Sequence, residues 1–276
     1  MDKKHELSPN EDGFTLVELS IVLVIIGLIV GGVLVGQDMI RAAEIRSTVA
    51  QIESYNTAAN TFRDKYRNIP GDILSNDAAR FGLNVRSGSG GQGDGDKLLE
   101  GCTDGATIFG CETQLFWRDL AAVDLLGTNI SAPTTDNTAE SAAGAVVSNF
   151  MPEADIGQGH YITTFSVSGR NFYQIAQVNS TSTGAYSLGL GMSPQVAFNI
   201  DDKLDDGDPF NGRILAAFGD TALNGVIATP AAVTTNSPAS AATDCAGELA
   251  GENTYNTGTE ATANEPACQL RVRAGF

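Results

Sequence analysis

An uninterrupted apolar run near the N-terminus constrains this chain more than any other feature of its sequence. Residues 14–36, FTLVELSIVLVIIGLIVGGVLVG, carry a single charged side chain, that of Glu18. An α-helix rises about 1.5 Å per residue, so the run would extend roughly 35 Å, and the hydrocarbon core of a bilayer is about 30 Å thick. The run therefore predicts a membrane-spanning helix. Residues 1–13 before it are polar and lack the apolar stretch of a secretory signal peptide.

The helical pattern continues past this run on one face only. The apolar residues that continue it recur every three or four positions, and they are Ile45, Val49, Ile52, Tyr55, Ala59, Phe62 and Tyr66. Such spacing places them on one side of a helix. Pro70-Gly71 ends the pattern, since the residue before a proline is biased away from helix. We expect one helix of about 50 residues, membrane-spanning over 14–36 and amphipathic over 37–67.

Residues 68–228 have the pattern of a globular domain with helices and strands. One amphipathic helix is predicted at 112–126 with Gly127 as its cap, and another runs from Ser193-Pro194 to about residue 204. The predicted strands are 161–167, 171–178, 185–190 and 213–218. Ser168-Gly169-Arg170 would join the first two as a hairpin. The predicted fold class is α+β, with a long protruding N-terminal helix whose second half packs on an antiparallel sheet of about four strands.

Residues 229–276 form the last predicted region. Ala, Thr, Asn, Ser and Gly dominate 229–264, and a stretch with so few large apolar residues cannot build a packed core. We interpret it as a low-complexity surface loop that a disulfide ties down. A final edge strand is predicted at 268–272.

The four cysteines predict two disulfide bonds. They form two local pairs, Cys102 with Cys111 and Cys245 with Cys268, and none lies in a CxxC motif typical of zinc or thioredoxin-like sites. Of the three possible connectivities we favour these local pairs, because each closes the shortest loop. Disulfides persist in oxidising compartments, so this part of the chain is expected in a periplasm or beyond it.

Charge and histidine content argue against two classes of function. The formal net charge is −17 and the sequence pI about 4.3, so the surface field repels phosphate backbones and no direct nucleic-acid binding is expected. The only histidines are His5, inside residues 1–13, and His160. A catalytic triad or a histidine metal cluster would have to use one histidine, so we do not expect an enzyme.

The junction Gly13-Phe14-Thr15-Leu16-Val17-Glu18, directly before the apolar helix, resembles the type IV pilin family and its class III signal peptide. Precursors of this family share a short polar leader ending in Gly, a following Phe, and an acidic residue at the fifth mature position. The resemblance implies that a prepilin peptidase cuts between Gly13 and Phe14 and methylates the new amino group of Phe14. Residues 1–13 would then be a leader peptide, and the fold would be pilin-like.

The resemblance also implies a role for Glu18, which would pair with the N-terminal ammonium of a neighbouring subunit and set the axial register of a filament. A carboxylate at the bilayer centre costs about 2.5–3.5 kcal/mol on insertion scales, so it calls for a partner. The alternative is an interfacial Glu18 that snorkels to water. The spacing of Gly27 with Gly31 and of Gly32 with Gly36 fits helix bundling as well as simple lipid tolerance.

These features predict a structural subunit of a type IV pilus-like or type II secretion (pseudopilus) filament, assembling through its N-terminal helix after leader cleavage. Its expected partners are the prepilin peptidase, other pilin or pseudopilin subunits, an inner-membrane assembly platform and membrane lipid. It would cross the inner membrane once, with a periplasmic globular domain, and then enter a periplasmic or cell-surface filament. The alternative is a membrane-anchored extracytoplasmic binding or adhesion domain.

One run of acidic residues is the candidate metal site. Its members are Asp201, Asp202, Asp205, Asp206 and Asp208. Hard oxygen ligands suit calcium, and some pseudopilins bind calcium in a loop of the globular domain. The run does not have EF-hand spacing, because it lacks the bidentate Glu at its end. A solvated helix end followed by a turn is the alternative, and no cofactor other than this calcium ion is expected.

Overall fold

The computed structural model describes residues 15–83, 93–100, 112–128, 130–131, 147–182, 185–217, 245–249, 252–258 and 266–276. The helices are α1 (Leu16–Tyr66), α2 (Ser75–Arg80), α3 (Glu112–Ala122) and α4 (Pro194–Leu204), with a 3₁₀ turn at Val147–Asn149. The strands are β1 (His160–Val167), β2 (Arg170–Ser182), β3 (Ala185–Gly189), β4 (Ile214–Ala217), β5 (Ala246–Leu249), β6 (Glu252–Tyr255) and β7 (Gln269–Arg273). The chain divides into two compact units, Met1–Ala43 and Glu44–Phe276.

Helix α1 is continuous over 51 residues, as the sequence predicted. It ends at Tyr66 because Arg67 takes a left-handed conformation with φ of 65°. From Glu44 onward, one face of the helix is buried within its unit, and the buried residues are Ile45, Thr48, Ile52, Tyr55, Asn56, Ala58, Ala59, Phe62 and Tyr66. This face includes every predicted apolar position except Val49, which is partly buried. The buried face of α1 therefore matches the predicted apolar spacing.

The main sheet is antiparallel, with strands in the order β1-β2-β7-β4, and β3 pairs with the far end of β2. The predicted hairpin is present between β1 and β2, with Val167 opposite Arg170. Its two turn residues, Ser168 and Gly169, both have positive φ (51° and 72°). Two-residue turns of this kind match the right-handed twist of the strands they join. The α+β prediction, with an antiparallel sheet, is confirmed.

Strand β7 is interior, which corrects the predicted edge strand at 268–272. It pairs with β2 on one side and with β4 on the other. Leu270 and Val272 are both fully buried. A short strand with alternating Leu, Arg and Val looks like an edge strand when its partners are unknown, and here both partners lie far away in sequence.

Helix α3 packs against the hairpin and against α1. Trp117 is 1 % exposed, and its ring meets that of Tyr55 edge-on with centroids 4.9 Å apart. The helix ends at Ala122, four residues before the predicted end, because Asp124 adopts φ of 59°. Gly127 therefore lies outside the helix and does not cap it. Gly71 (φ 87°) lies so close to the first turn of α3 that a Cβ there would approach the backbone nitrogen of Phe116 to 2.9 Å.

Helix α4 begins as predicted, with Ser193 accepting a hydrogen bond from the amide of Val196 and Pro194 in the first position. Beyond it, the region predicted as a low-complexity surface loop contains structure. Strands β5 and β6 form an antiparallel hairpin, and Tyr255 at its end is only 4 % exposed. Tyr255, which lies opposite the residue after Cys245 of the Cys245–Cys268 disulfide, thus packs into the core although its segment has few other apolar residues.

Candidate assembly site

The start of α1 is closed by a reciprocal pair of hydrogen bonds between Thr15 and Glu18. The amide of Glu18 donates to Thr15 Oγ1 at 3.3 Å, and the amide of Thr15 donates to Glu18 Oε2 at 2.9 Å. The Thr15 hydroxyl also donates to the same Oε2 at 2.8 Å. This is a capping box, which satisfies amide groups that have no partner within the helix. The predicted processing residues Gly13 and Phe14 lie outside the described residues.

The capping box changes how Glu18 is interpreted, because sequence reasoning assigned this carboxylate only to a charge pair or to water. Both hydrogen bonds that the Glu18 carboxylate accepts from Thr15 use Oε2. The geometry therefore holds the carboxylate at the helix start. The signal for this role was in the sequence, since Thr15-x-x-Glu18 has capping-box spacing.

The first half of α1 presents large apolar side chains without cover inside its own unit. From Leu16 to Ile40 these side chains are 50–87 % exposed. Among the described residues, α1 is the one helix long and apolar enough to cross a membrane, and none of its most apolar window is buried. A Cβ added at Gly27, Gly31, Gly32 or Gly36 would meet nothing within 4 Å. A surface of this kind needs lipid or other helices around it.

The second half of α1 is tied to its unit by polar contacts as well as by the core. Gln51 donates to the carbonyl of Glu153 at 2.8 Å and accepts from the amide of Asp155 at 3.0 Å. The hydroxyl of Ser47 also donates to Asp155. Farther along, Arg213 forms an ion pair with Glu53 at 2.8 Å. These contacts fix residues 47–53 of the helix to the loop before β1 and to the start of β4.

Helix α1 is also hydrogen-bonded to the segment that follows β7. The amide of Gly275 donates to Asn56 Oδ1 at 2.8 Å, and Asn60 Nδ2 donates to the carbonyl of Gly275 at 3.0 Å. The ring of Phe276 stacks on Phe116 with centroids 5.4 Å apart. The second half of α1 therefore contacts both α3 and the residues that follow β7.

A group of three carboxylates, Asp72, Asp94 and Glu112, lies at the helix exit. Asp72 accepts hydrogen bonds from the amides of Gly95 and Lys97, both at 2.6 Å. Burial, opposed by these bonds, raises the pKa of Asp72 to about 6. Asp72 therefore holds the Asp- and Gly-rich loop 93–100 through two of its backbone amides.

Glu112 shares this task with Asp72. It accepts from the amide of Glu100 at 2.8 Å and from that of Asp94 at 3.3 Å. Burial raises its pKa to about 8 despite these hydrogen bonds, and the charge of Asp72 adds to the rise. Sequence reasoning missed both residues, because a single acid after Pro-Gly and a single acid at a helix start are ordinary. The loop's repeated Asp-Gly was the one available signal.

The predicted aspartate run is divided by the structure. Oxygens of Asp201, Asp205 and Asp206 lie within 4.8 Å of one another. Asp208 is used differently, since its carboxylate accepts from the amide of Phe210 at 3.0 Å and from the Asn211 side chain at 2.9 Å. The three-carboxylate group does not include Asp208, nor does it include Asp202.

Asp201 is the buried member of that group. Burial raises its pKa to about 6, and the neighbouring charges of Asp205 and Asp206 act in the same direction. The hydroxyl of Tyr255 donates to Asp201 Oδ2 at 2.7 Å. Hydrogen bonds from the Tyr255 side chain and from the backbone of Gly207 oppose this rise in the pKa of Asp201.

Cys245 and Cys268 form the disulfide that the sequence favoured for them, with Cα atoms 4.9 Å apart. Their predicted counterparts, Cys102 and Cys111, lie outside the described residues. His160, the first residue of β1, is buried at 2 % exposure, and its Nδ1 lies 2.8 Å from the carbonyl of Gly157. Burial lowers the pKa of His160 and favours a neutral ring.

The comparison with known protein families bears on the helix start. Residues 8–34 match the family model described as the prokaryotic N-terminal methylation motif. No curated protein and no solved structure matches the chain. The matched segment contains Gly13, Phe14 and Glu18 and continues into the exposed apolar half of α1. It confirms the resemblance to a type IV pilin-like class III signal peptide, and it supports a subunit of the pilin or pseudopilin type.

Proposed function

We propose that this protein is a structural subunit of a type IV pilus-like or type II secretion (pseudopilus) filament and is not an enzyme. One observation carries the proposal. The methylation motif at residues 8–34 coincides with a helix whose apolar side chains are exposed from Leu16 to Ile40. A processing signal and an uncovered helix surface in the same segment suit a subunit that leaves the membrane to pack beside other helices.

Processing is the first step of this function. A prepilin peptidase would cut between Gly13 and Phe14 and methylate the Phe14 amino group, so that the mature chain begins next to the capping box of α1. Before assembly, the apolar half of the helix would lie in the inner membrane, with the globular domain in the periplasm. The favoured partners are the peptidase, an inner-membrane assembly platform, lipid, and other pilin or pseudopilin subunits.

Assembly would exchange lipid for helices. The four glycines between Gly27 and Gly36 remove side chains where another backbone could approach closely. Glu18 would supply the directional contact, with Oε2 capping its own helix and Oε1 accepting from the ammonium group of a neighbouring subunit. A charge pair at one level along an otherwise uniform apolar rod selects a single axial register, much as a single polar position does in coiled coils.

The decisive test is intact mass spectrometry of the protein extracted from membranes of its native host. We expect a mature form that begins at N-methylated Phe14. A Gly13→Val variant should retain the leader, whereas the matched leader variant Asn10→Val should still be cut. A retained Met1, or cleavage at another peptide bond, would overturn the proposal.

A membrane-anchored binding domain is the competing function, and it makes a different prediction for Glu18. An anchor needs the helix only for insertion, so a substitution at Glu18 would leave function intact. A filament subunit needs the carboxylate for incorporation. Sheared filaments from cells that carry the variant therefore separate the two functions.

A further inference from the structure

Two buried carboxylates hold one loop of the globular unit by its backbone. Asp72, shortly after the end of α1, is 0 % exposed, and Glu112, at the start of α3, is 6 % exposed. Their four carboxylate oxygens all accept hydrogen bonds from amides of the loop 93–100, and these amides belong to Asp94, Gly95, Lys97 and Glu100. The position of this loop therefore depends on two groups whose charge changes with pH.

The two carboxylates lie close enough to compete for one proton. An oxygen from each of Asp72, Asp94 and Glu112 lies within 4.8 Å of the others. Like charges at this separation repel strongly where water is excluded, and buried carboxylate pairs relieve the repulsion by keeping a proton. Glu112 Oε1 accepts a long hydrogen bond, at 3.3 Å, whereas Oε2 accepts one at 2.8 Å. Oε1 is therefore the oxygen of Glu112 better placed to carry that proton.

The loop itself keeps water away from Asp72. A Cβ added at Gly93 would collide with the Asp72 backbone, so the loop lies directly against this residue. Gly95 follows with φ of 82°, a conformation that favours glycine, and its amide reaches Asp72 Oδ1 at 2.6 Å. Exclusion of water opposes the ionisation of a carboxylate. Lifting the loop would return water to Asp72, so ionisation and lifting favour each other.

Neighbouring charges act in the same direction as burial. Burial is the main cause that raises the pKa of Asp72 to about 6 and that of Glu112 to about 8. The charges of Asp94 and Asp96 add to the rise in pKa at Asp72. Those of Asp72 and Asp94 add to it at Glu112. A proton on the pair therefore stabilises the closed loop, and loss of the proton does the reverse.

The other charged groups that the structure describes around the pair leave this repulsion in place. Lys97 and Glu100 of the loop, and Arg170 at the start of β2, are exposed, so water screens their charges. On α3, Asp119 is a further carboxylate, and it accepts from the amide of Gly71 at 2.8 Å. Closure of the loop therefore relies on a proton and not on these charges.

We propose that Asp72 and Glu112 form a proton-operated latch, which holds residues 93–96 closed while the pair keeps a proton and releases them when both carboxylates are ionised. The closed pair binds a proton that the open, hydrated pair has released, so closure is complete at low pH and weakens as pH rises. The weakening reaches its limit once pH passes the pKa of Glu112, about 8. The latch does not depend on filament assembly.

The next part of the loop is fastened by a side chain that does not titrate. Asn171 Oδ1 accepts from the amide of Leu99 at 2.9 Å, and Asn171 Nδ2 donates to the carbonyl of Lys97 at 2.9 Å. Leu99 is also fully buried. Opening therefore turns about Lys97 and leaves Leu99 in place.

The test measures amide exchange with water by NMR, on the full chain in detergent with isotope-labelled glycine and leucine. Gly95 reports on the latch, and Leu99 reports on the neighbouring anchor. Protection factors divide out the intrinsic pH dependence of exchange. From about pH 6 to about pH 8, the protection factor of Gly95 should fall about tenfold to a hundredfold, and that of Leu99 should stay within about threefold.

Glu112→Gln is the latch variant, and Glu100→Gln is its matched control. Both make the same substitution, but Glu100 is exposed and its side chain is not part of the latch. Glu112→Gln keeps an acceptor for the loop and cannot ionise, so the protection of Gly95 should vary less than about threefold over the same pH range. Glu100→Gln should keep the pH dependence of the wild type.

Gly93→Ala supplies the opposite perturbation. Its Cβ would collide with the Asp72 backbone and prop the loop open. Gly95 should then exchange at least about tenfold faster than in the wild type already at about pH 6, while Leu99 stays protected.

Several results would overturn the proposal. They are equal protection of Gly95 at both pH values, a parallel fall at Leu99, a wild-type pH dependence in Glu112→Gln, and loss of that dependence in Glu100→Gln. If Glu112→Gln does not fold, the comparison of Gly95 with Leu99 in the wild type decides alone.

Discussion

The Glu18→Gln substitution separates the two tasks assigned to this side chain. Glutamine also completes a capping box, because its side-chain oxygen can accept from the amide of Thr15 as Glu18 Oε2 does at 2.9 Å. The substitution therefore leaves the helix start intact and removes only the negative charge. Thr15→Ala does the reverse, since it deletes the hydroxyl that accepts from the Glu18 amide and keeps the charge.

The expected magnitudes differ enough to be measured. In the proposed filament, Glu18 would pair with the N-terminal ammonium group of a neighbouring subunit, and removing one partner would leave the other charge uncompensated in an apolar environment. Association of a subunit should then weaken by at least about a hundredfold. Loss of the cap costs about 1 kcal/mol, so Thr15→Ala should weaken association less than about tenfold.

The assay compares two fractions from cells of the native host. Membrane pellets report insertion, and sheared filaments report incorporation. We expect equal amounts of wild type, Glu18→Gln and Thr15→Ala in the membrane. Incorporation should be nearly abolished for Glu18→Gln and only reduced for Thr15→Ala. If Glu18→Gln enters filaments normally, or if Thr15→Ala is the more damaging variant, the charge-pair reasoning is refuted and capping is the main role of Glu18.

Three further predictions concern the globular unit. Glu112 keeps its proton in the folded state up to about pH 8, so the free energy of unfolding should fall by up to about 1.4 kcal/mol per pH unit between pH 6 and 8. In urea titrations, the unfolding free energy of Glu112→Gln should depend less on pH than that of the wild type. The double change Cys245→Ser with Cys268→Ser removes a disulfide that spans 23 residues and should cost about 3 kcal/mol in the same titration. Phe62→Ala should cost about 3–5 kcal/mol, against less than about 0.5 for the exposed neighbour Thr61→Ala; similar losses for both would contradict the assigned buried face.

Glu112 links proton binding to folding. Its pKa is raised from 4.5 to about 8, so between these values the folded state binds a proton that the unfolded state has released. The contribution of Glu112 to stability is therefore complete at low pH and is lost as pH rises. A wild-type stability that increases from pH 6 to pH 8, with Glu112→Gln unchanged, would contradict the assigned burial.

The elements that sequence predicted well are those with a local physical cause. The β1–β2 hairpin follows from two turn residues able to adopt positive φ, and the start of α4 follows from Ser193 as a cap before Pro194. The buried face of α1 follows from spacing alone. In each case the residues that decide the structure lie within a few positions of the structure they decide.

What sequence could not predict depends on distant partners. The interior position of β7 requires β2 and β4 on its two sides, and nothing within residues 269–273 identifies either strand. Burial of Tyr255 depends on Asp201 of α4 as its acceptor. Asp72 and Glu112 both accept hydrogen bonds from backbone amides of the loop 93–100, although they lie 40 residues apart in sequence. The division of the aspartate run likewise depends on Asn211 and the fold of the loop, not on the run itself.

The central position of β7 has a consequence for how the chain is made. All of its partners precede it in synthesis, and β4 is separated from it by more than 50 residues. Until residues 269–273 emerge, β2 and β4 each keep an unpaired side that can recruit strands from other chains. The sheet is therefore completed only after both cysteines of the Cys245–Cys268 disulfide have been synthesised. A chain with this topology needs protection from aggregation until β7 is available to pair.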